Sequence, residues 1–427
     1  MRWCRVRAKI VRGDILAPMK PLVLFEDEGF ADLLPLVFWR SVFEIQLGRK
    51  ILLDRFAQRL GRPVSGVWTR DWMAPVAGQR CGAPANRPLS GPTLLVNGRW
   101  RFDAPVEFPD SPCVGTIEGA PAYIVCDEKV AAALTPLSFL EVASSAAALE
   151  RLPKHDAPGK LLRYPWDLVS SISADIEGDW TPTDAGVLSD VPEGVLTGPK
   201  DRLRIGESVS LHRTSLIDTA SGSVYLGDSV AVGPYAVLEG PLYIGPGSVI
   251  RPHSWLHGGN SIGPVCKIGG EVHGCLIHGY TNKQHEGFLG HCVVGSWVNI
   301  GAGAANSDLK NTYGAVRCPI NGSETDTGLT FFGAVIGDHA KLGIHATIPT
   351  GAVIGFATSV FTSEALPKYL PSFSWATREG TVSGDPLRAM DVAAKVMARR
   401  NVDLTDEEVE LFLDLGRRVK QFESRRH

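Results

Sequence analysis

The 427-residue sequence lacks three features that would each indicate a particular class of protein. It has no run of about eighteen apolar residues, so no conventional membrane-spanning helix is expected. Its eight cysteines are scattered, without the paired short spacings of a zinc ribbon or a redox pair. Its formal net charge is only −3, from 43 basic and 46 acidic residues, so no overall field favours nucleic acid. We therefore expect a reduced, cytoplasmic protein that binds neither nucleic acid nor membrane.

The amino-terminal end is basic but does not have the pattern of a signal peptide. Its arginines and lysine are not followed by an apolar stretch. Met19 stands just before the first strand-like run, at Pro21 to Phe25. Residues 1–18 are therefore predicted to be a disordered or misassigned start.

An aliphatic residue at every sixth position dominates the second half of the chain. The unbroken run consists of Leu226, Val232, Leu238, Ile244, Ile250, Leu256, Ile262 and Ile268. The spacing returns at Val294 and Ile300, and again from Ile336 to Val360. A period of six fits neither a helix nor an alternating strand, and it predicts a parallel β-helix whose short strands each point one aliphatic residue inward. We predict this β-helix over 203–362.

Two breaks in the six-residue pattern, at about 274–293 and 303–331, are predicted insertions. Insertions into a solenoid usually map to loops on one face, which is often the binding face. Six of the eleven histidines lie between residues 253 and 291. They suit either a general base, because imidazole titrates near neutral pH, or zinc ligands shared across a subunit interface. A third interpretation is an ordinary solvated face.

The rest of the chain divides by composition and pattern. Strand-like and helical patterns alternate over 19–177, which predicts an α/β domain. Residues 178–202 are rich in Gly, Pro, Asp and Thr and read as a linker. Residues 363–427 are predicted to be a helical extension with helices at 386–400 and 404–422. The second helix begins with a capping-box pattern, Thr405 to Glu408.

The stretch GFLGHCVVGSWVNIGAGAANSDLKN, at 287–311, resembles a known family of enzymes. It is similar to the acetyltransferase domain of the bifunctional N-acetylglucosamine-1-phosphate uridyltransferase and glucosamine-1-phosphate N-acetyltransferase family, in particular to a divergent branch of sugar nucleotidyltransferases. The resemblance implies a left-handed β-helix, a homotrimer and acetyl-CoA as co-substrate. It also implies a role in the synthesis of nucleotide sugars such as UDP-N-acetylglucosamine.

The same resemblance assigns roles to individual residues of the β-helix. His285, in KQHEGFLG, matches the histidine that takes a proton from the sugar amine as this attacks acetyl-CoA. Asn299 matches a residue that binds the region of the amine. Arg251, in the IRP segment, resembles the arginine that holds the sugar phosphate, and Lys283 or Lys310 would assist it.

Three departures from the family pattern accompany these matches. Phe288 stands where the main family has a substrate-binding tyrosine, and His273 stands where it has a lysine. The spacing between Arg251 and Glu271 is also longer than in the family. The first two changes would weaken contacts to phosphate or hydroxyl groups.

The amino-terminal half resembles the same branch through three segments, at 33–52, 94–100 and 163–169. This implies a Rossmann-like nucleotidyltransferase domain that joins a sugar 1-phosphate to a nucleoside triphosphate with Mg²⁺. The usual Gly-rich phosphate loop is absent, and the first strand leads into the acidic run FEDEG instead. The weak nucleotide-binding candidates are therefore Arg40, Arg49 and Asn97. Arg99 stands where such enzymes commonly have a metal-binding aspartate, so the metal ligands are unknown.

Three interpretations follow from these residues. We favour a sugar-phosphate transferase that has a nucleotidyltransferase-like domain and an N-acetyltransferase-like β-helix. The second is a zinc β-helix protein that resembles γ-class carbonic anhydrases. The third is a trimeric scaffold whose catalytic residues have degenerated.

Overall fold

The computed structural model describes residues 20–141, 146–180 and 191–423. The predicted disordered start at 1–18 lies outside the described residues, as does the central part of the predicted linker. Among the helices that the model describes, none combines the length and apolar character needed to cross a membrane.

The amino-terminal domain is built on a six-stranded sheet. In spatial order its strands are Val64–Trp68, Leu22–Phe25, Thr93–Asn97, Ala120–Cys126, Cys113–Ile117 and Lys154–Asp156. The first three strands are parallel, and the third and fourth are antiparallel. The strand Leu22–Phe25 lies between two parallel neighbours and is wholly buried, as its run of apolar residues requires. The predicted α/β domain is thus confirmed, with a mixed sheet.

Short helices surround this sheet. The α-helices are Leu52–Arg59, Ala74–Cys81, Glu128–Ala133, Leu137–Leu140, Ala146–Leu149, Pro165–Val169 and Ile172–Gly178. The 3₁₀ helices are Glu28–Leu33, Val42–Glu44 and, before the solenoid, Lys200–Arg202. Two small antiparallel pairs complete the domain: Gln46–Leu47 with Lys50–Ile51, and Trp100–Arg101 with Lys160–Leu161.

The second half is a three-sided parallel β-helix, whose sides we call face 1, face 2 and face 3. Face 1 consists of Leu196–Thr197, Leu216–Asp218, Val237–Glu239, Trp255–Leu256, Glu271–His273 and Phe288–Gly290, continued by Ala305–Asn306 and Thr347–Ile348. Face 2 consists of Leu203–Ile205, Val224–Leu226, Leu242–Ile244, Asn260–Ile262, Leu276–Ile277, Val293–Val294, Ala334–Ile336, Ala352–Ile354 and Tyr369–Leu370. Face 3 consists of Ser210–Leu211, Ala231–Val232, Val249–Ile250, Lys267–Ile268, Asn282–Lys283, Asn299–Ile300, Lys341–Leu342, Ser359–Val360, Ser374–Thr377 and Gly380–Ser383.

The predicted aliphatic residues point into the solenoid. On face 2 the register stacks Leu226 on Ile244 and Ile244 on Ile262, and all three are wholly buried. They belong to a hydrophobic cluster that fills the inside of the β-helix. The β-helix prediction is therefore confirmed.

The two predicted breaks have different outcomes. The prediction of an insertion at 274–293 is wrong, because this segment forms regular strands on all three faces. The coil from Ile262 to Ile277 is three residues shorter than the coil from Ile244 to Ile262, so the pattern changes phase. Residues 307–333 do leave the solenoid, and they contain the hairpin Arg317–Ile320 and Ser323–Asp326.

The amino-terminal domain packs along face 2. The outward residues Leu276, Val293 and Val335 belong to the same hydrophobic cluster as the core of that domain. Gln46 donates from Nε2 to Oγ of Ser261 at 2.6 Å across the junction. Face 2 is thus buried within the chain, whereas exposed aromatic side chains lie on face 1 and face 3.

The carboxy-terminal helices are Pro386–Ala398 and Asp406–Glu423, close to their predicted positions. The capping box is present: the amide of Glu408 donates to Oγ1 of Thr405, and the amide of Thr405 donates to Glu408, each at 3.2 Å. Phe412 contacts Trp39 of the amino-terminal domain. The second helix therefore covers a junction within its own chain.

Candidate functional site

His285 lies at an exposed corner of the β-helix. The corner joins Asn282–Lys283 of face 3 to Phe288–Gly290 of face 1. The imidazole Nε2 lies 3.3 Å from the side-chain amide nitrogen of Gln284. The ring is thus accessible to a ligand that lies along the edge between face 3 and face 1.

Arg251 lies on the same edge. Its amide bonds the carbonyl of Ile268, and the amide of Gly269 bonds the carbonyl of Lys283, so Arg251 is two coils from the His285 corner. Strands stack about 4.8 Å apart, which puts the two corners about 10 Å apart. Arg251 is exposed and free to meet an anion.

Several basic side chains lie near this edge. Lys267 points outward on face 3. Its pKa is lowered by the charge of Arg400, by burial, and by the charges of Arg251 and Arg399. A cation lowers the pKa of another ammonium group only if it lies near it. The edge that carries Arg251 therefore suits a phosphate.

Lys283 does not point to solvent. Its side chain is 1% exposed, and its Nζ donates to the carbonyl oxygens of Gly269 and His285 at 2.8 Å each. Burial lowers the pKa of Lys283 to about 8. The structure thus places this predicted phosphate ligand inside the solenoid.

The remaining two candidates on the β-helix have hydrogen-bond partners of their own. Asn299 is on the outward side of face 3 and accepts a hydrogen bond from Nδ2 of Asn282 at 2.7 Å. Lys310 is in the segment that leaves the solenoid and donates to the carbonyl of Ala315 at 3.1 Å. Arg251 and His285 thus share one edge of the solenoid, whereas these two side chains are held by other partners.

Three stacked imidazoles, which we call the histidine ladder, run along the opposite edge of face 1. The ring centroids of His257 and His273 are 4.9 Å apart, and those of His273 and His291 are 4.8 Å apart. Nδ1 of His291 lies 2.8 Å from Oδ2 of Asp308, which orients that ring. His257 lies 3.2 Å from carboxylate oxygens on each side, those of Glu239 and Glu271.

Two cavities lie against the histidine ladder, and His273 lines both. One has a volume of about 330 Å³ and includes Glu239 and His257. The other has a volume of about 610 Å³ and is bounded by His291 and Phe331 on the solenoid side. The pKa of His273 is lowered by burial and by the neighbouring rings of His291 and His257. Its imidazole is therefore neutral at pH 7 and can accept a proton.

The sequence prediction found the clustering of histidines but missed the ladder. The three rings lie on successive coils of face 1, at a sequence spacing close to three hexapeptides. A search for polar residues at that spacing would have found them. Shortened coils obscure the spacing, because they place His273 sixteen rather than eighteen residues after His257.

Two ion pairs fill the edge of the amino-terminal sheet where its parallel strands end. Open α/β sheets bind nucleotides outside this edge. Arg70 Nε lies 3.0 Å from the buried carboxylate of Glu26, and Arg99 lies 2.6 Å from that of Asp27. Asn97, a predicted nucleotide ligand, donates to the same Asp27 at 2.8 Å.

The other two nucleotide-binding candidates contact the β-helix. Arg40 forms a buried ion pair with Asp338 and donates to Oγ of Ser296 at 3.0 Å. Arg49 donates to the backbone carbonyl of Asp179, and its guanidinium lies 4.5 Å from the ring centroid of Tyr225. Both arginines therefore contribute to the packing of the domain on face 2.

Comparison with known proteins finds a family similar to this domain. Residues 22–185 match the family model described as sugar nucleotidyl transferase. Over these residues the amino-terminal domain is similar to sugar nucleotidyl transferases, and below we call it the sugar nucleotidyl transferase domain for that similarity. The predicted resemblance is therefore confirmed.

Curated relatives match parts of the chain. A bifunctional sugar-1-phosphate nucleotidylyltransferase/acetyltransferase of Sulfurisphaera tokodaii is 31% identical over 97 residues, 22% of this chain and 24% of the relative. The bifunctional protein GlmU of Methanococcus vannielii is 31% identical over 85 residues, 20% of each chain. GlmU of Heliobacterium modesticaldum is 26% identical over 175 residues, 40% of this chain and 31% of the relative. The chain thus matches less than a third of the length of each relative.

The sugar nucleotidyl transferase domain does not offer carboxylates to Mg²⁺ in this arrangement. The carboxylates of Glu26 and Asp27 are each neutralised by an arginine of the same chain. Within residues 20–141, 146–180 and 191–423, no group of three or more His, Cys, Asp or Glu side chains has a geometry that could hold a metal ion. The residues present do not fit the metal that the family implies.

Proposed function

We propose that this chain is a sugar-phosphate transferase whose β-helix transfers the acetyl group of acetyl-CoA to the amine of an amino-sugar phosphate. The proposal rests on a contrast between the two parts of the chain. The β-helix presents an exposed imidazole, His285, on a positively charged edge, whereas the nucleotide edge of the sugar nucleotidyl transferase domain is filled by ion pairs. The relative from Sulfurisphaera tokodaii, whose name gives both activities, supports the same assignment.

His285 acts as the general base in this mechanism. The amine nitrogen attacks the thioester carbonyl carbon while His285 accepts a proton from the nitrogen. The tetrahedral intermediate then collapses, the carbon–sulfur bond breaks, and the thiolate of CoA leaves and takes up the proton. Backbone N–H groups at a corner of the solenoid stabilise the oxyanion. Arg251 binds the phosphate of the acceptor, because a guanidinium group matches a phosphomonoester in charge and geometry.

The histidine ladder supports a sugar as the acceptor. Neutral imidazoles and carboxylates are the partners that hydroxyl and amine groups need for hydrogen bonds. The exposed ring of Phe331 adjoins His291, with ring centroids 5.5 Å apart, and it can pack on the apolar side of a sugar ring. Face 1 thus combines a phosphate-binding edge with an edge that suits hydroxyl groups.

We propose that the protein acts as a homotrimer. The sugar nucleotidyl transferase domain already covers face 2, so neighbouring subunits would meet through face 1 and face 3. Trp255 on face 1 and Trp375 on face 3 are each 47% exposed. Large exposed aromatic residues of this kind favour a subunit contact.

Release of free thiol from acetyl-CoA tests the proposal. Glucosamine 1-phosphate and a panel of other amino sugars would be offered as acceptors. We expect His285→Ala to lower kcat on the order of 100-fold or more, because loss of a general base has effects of that size. Its melting temperature should not change, since the ring is exposed and packs on little.

His212→Ala is the matched control. His212 is also exposed and also follows a strand of face 3, but that strand is the first of the face, four coils before Asn282–Lys283. This variant should turn over like the parent. Full activity in His285→Ala would place the base elsewhere, and no turnover with any amino sugar would contradict the proposed acyl transfer.

A second candidate function is nucleotidyl transfer, which the family match over residues 22–185 favours. Pyrophosphate release from nucleoside triphosphates with a sugar 1-phosphate and Mg²⁺ tests it. Release would show that the ion pairs of Glu26 and Asp27 open when substrate binds. If neither reaction occurs, the scaffold interpretation gains support.

A further inference from the structure

A lysine occupies a position of the solenoid core. On face 3 the register aligns Ile250 with Ile268 and Ile268 with Lys283. The other inward residues of this stack are Val232, Ile250, Ile268, Ile300, Leu342 and Val360. Lys283 is as deeply buried as these aliphatic neighbours.

Stability does not explain this lysine. Moving an ammonium group out of water costs several kcal/mol, which hydrogen bonds only partly offset. The pKa of Lys283, lowered to about 8 by burial, shows that the interior opposes its charge. An aliphatic residue would continue the stack at a lower cost.

The contacts of the ammonium group indicate what the lysine does. Nζ donates to the carbonyl of Gly269, at the corner directly next to Arg251 along the stack. It also donates to the carbonyl of His285 itself. Lys283 therefore links, from inside the solenoid, the backbone of the corner that carries His285 to the corner next to it.

A comparison with the corner of Arg251 supports this role. There, the short hydroxyl of Ser254 donates to the carbonyl of Arg251 at 2.6 Å and holds that corner. One coil further on, the carbonyl of Gly269 is in register with that of Arg251, and it is satisfied by the long side chain of Lys283 instead. Its two hydrogen bonds are charge-assisted when the amine is protonated, and such bonds are stronger than neutral ones.

We propose that Lys283 is a positioning residue that fixes the backbone of the His285 corner and thereby aims the imidazole along face 1. The proposal rests on the proposed function, in which His285 is the base. Lys283 itself does not touch the substrate, so its predicted role as a phosphate ligand is replaced by one exerted through His285. A small displacement of a catalytic group is enough to slow a reaction on the order of 100-fold.

Lys283→Met tests the proposal, because methionine keeps most of the length and removes the donors. We expect amide hydrogen–deuterium exchange in residues 284–287 to accelerate at least tenfold, with the melting temperature unchanged or higher. In the acyl transfer assay, kcat should fall on the order of tenfold to 100-fold, with KM for acetyl-CoA unchanged. Unchanged exchange at 284–287 would overturn the proposal.

Lys341→Met is the matched control. Nζ of Lys341 donates to the carbonyl oxygens of Trp297 and His339, at 2.7 Å and 2.9 Å, at a different corner. This variant should leave exchange at 284–287 and kcat as they are in the parent. If it accelerates exchange at 284–287 as much as Lys283→Met does, the effect is not specific to the link at His285 and the proposal fails.

Two further outcomes separate this proposal from the function on which it rests. Exchange is measured without substrate, so an inactive parent protein would contradict acyl transfer while accelerated exchange still supported the link. Lys283→Ile, which restores an aliphatic stack, is the second variant. Loss of folding in both Lys283→Met and Lys283→Ile would show a role in folding and overturn the positioning role.

Discussion

At the scale of single residues, the most informative side chains are polar groups buried where the sugar nucleotidyl transferase domain meets the β-helix. Arg40 and Asp338 form an ion pair there, and both are almost wholly buried. His278 and His339 are also buried at this junction. The packing of the two parts therefore depends on the protonation states of these groups.

Asp338→Asn should destabilise the protein by about 3–5 kcal/mol, because it leaves the charge of Arg40 buried without its partner. The double variant Arg40→Met with Asp338→Leu removes both charges and should be distinctly more stable than the single variant. Urea unfolding of the parent and both variants measures the difference. A double variant less stable than Asp338→Asn would contradict this account.

Acid should weaken the same junction. Burial holds the pKa values of His278 and His339 well below the usual value for histidine. Below pH 6.5 the unfolded chain therefore binds protons that the folded chain does not, so stability present above pH 6.5 falls as the pH falls. The expected loss is up to about 1.4 kcal/mol per pH unit for each histidine. Unfolding measured between pH 7.5 and 5 gives the slope.

His339→Phe should reduce that slope and raise stability. Among the described residues, neither ring nitrogen of His339 has a hydrogen-bond partner. The ring packs against aromatic side chains, with Phe412 at 5.6 Å between centroids. Phenylalanine keeps this packing and removes two buried polar atoms, each of which costs about 1–3 kcal/mol. An unchanged slope in this variant would assign the pH dependence to other groups.

At the scale of elements, the carboxy-terminal helix Asp406–Glu423 ties the two parts of the chain together. Phe412 is wholly buried, and its ring lies 5.6 Å from that of Trp39 and 4.9 Å from that of Phe356. These neighbours come from the sugar nucleotidyl transferase domain and from the β-helix. The helix therefore packs against both parts and belongs to the hydrophobic core that they share.

Phe412→Ala should cost about 3–5 kcal/mol, because it opens a cavity where three elements meet. Leu387→Ala, on the other carboxy-terminal helix, is the control, since Leu387 is 56% exposed and should matter by less than about 0.5 kcal/mol. Thermal unfolding followed by circular dichroism compares the two. Equal effects would show that the helix is not part of the shared core.

At the scale of the whole molecule, covering of face 2 by the chain's own domain limits how subunits can meet. In the proposed trimer, the 46.0 kDa subunits would then meet through face 1, face 3 or the edge between them, which carries His285. Light scattering should give three times the mass of the chain. A monomer would count against a site that is completed by a neighbour.

Trp375→Glu should shift the protein toward monomer, because it places a charge on an exposed aromatic site of face 3. Leu387→Glu, at an exposed position of the first carboxy-terminal helix, should leave the mass unchanged. The same light-scattering experiment measures both. Dissociation by both variants would indicate that the carboxy-terminal helices also take part in assembly.

The sequence by itself determined the β-helix and the order of the domains. One inward aliphatic residue per hexapeptide, such as Ile244 or Ile354, is a local requirement of the coils, to which Lys283 is an exception. The strand Leu22–Phe25 and the capping box at Thr405 were predictable for the same reason, since each depends on neighbouring residues in the chain. The segment around His285 was likewise recognisable from its local motif.

Only the tertiary structure decided which way polar side chains point and what they meet. A short coil before Lys283 turns that lysine inward, because side chains on a strand alternate between two sides and a change in phase exchanges them. The histidine ladder exists because separate coils stack His257, His273 and His291 in register. The ion pairs of Glu26, Asp27 and Arg40 join residues far apart in the chain. Long-range packing sets all of these contacts, and a hexapeptide pattern holds no information about it.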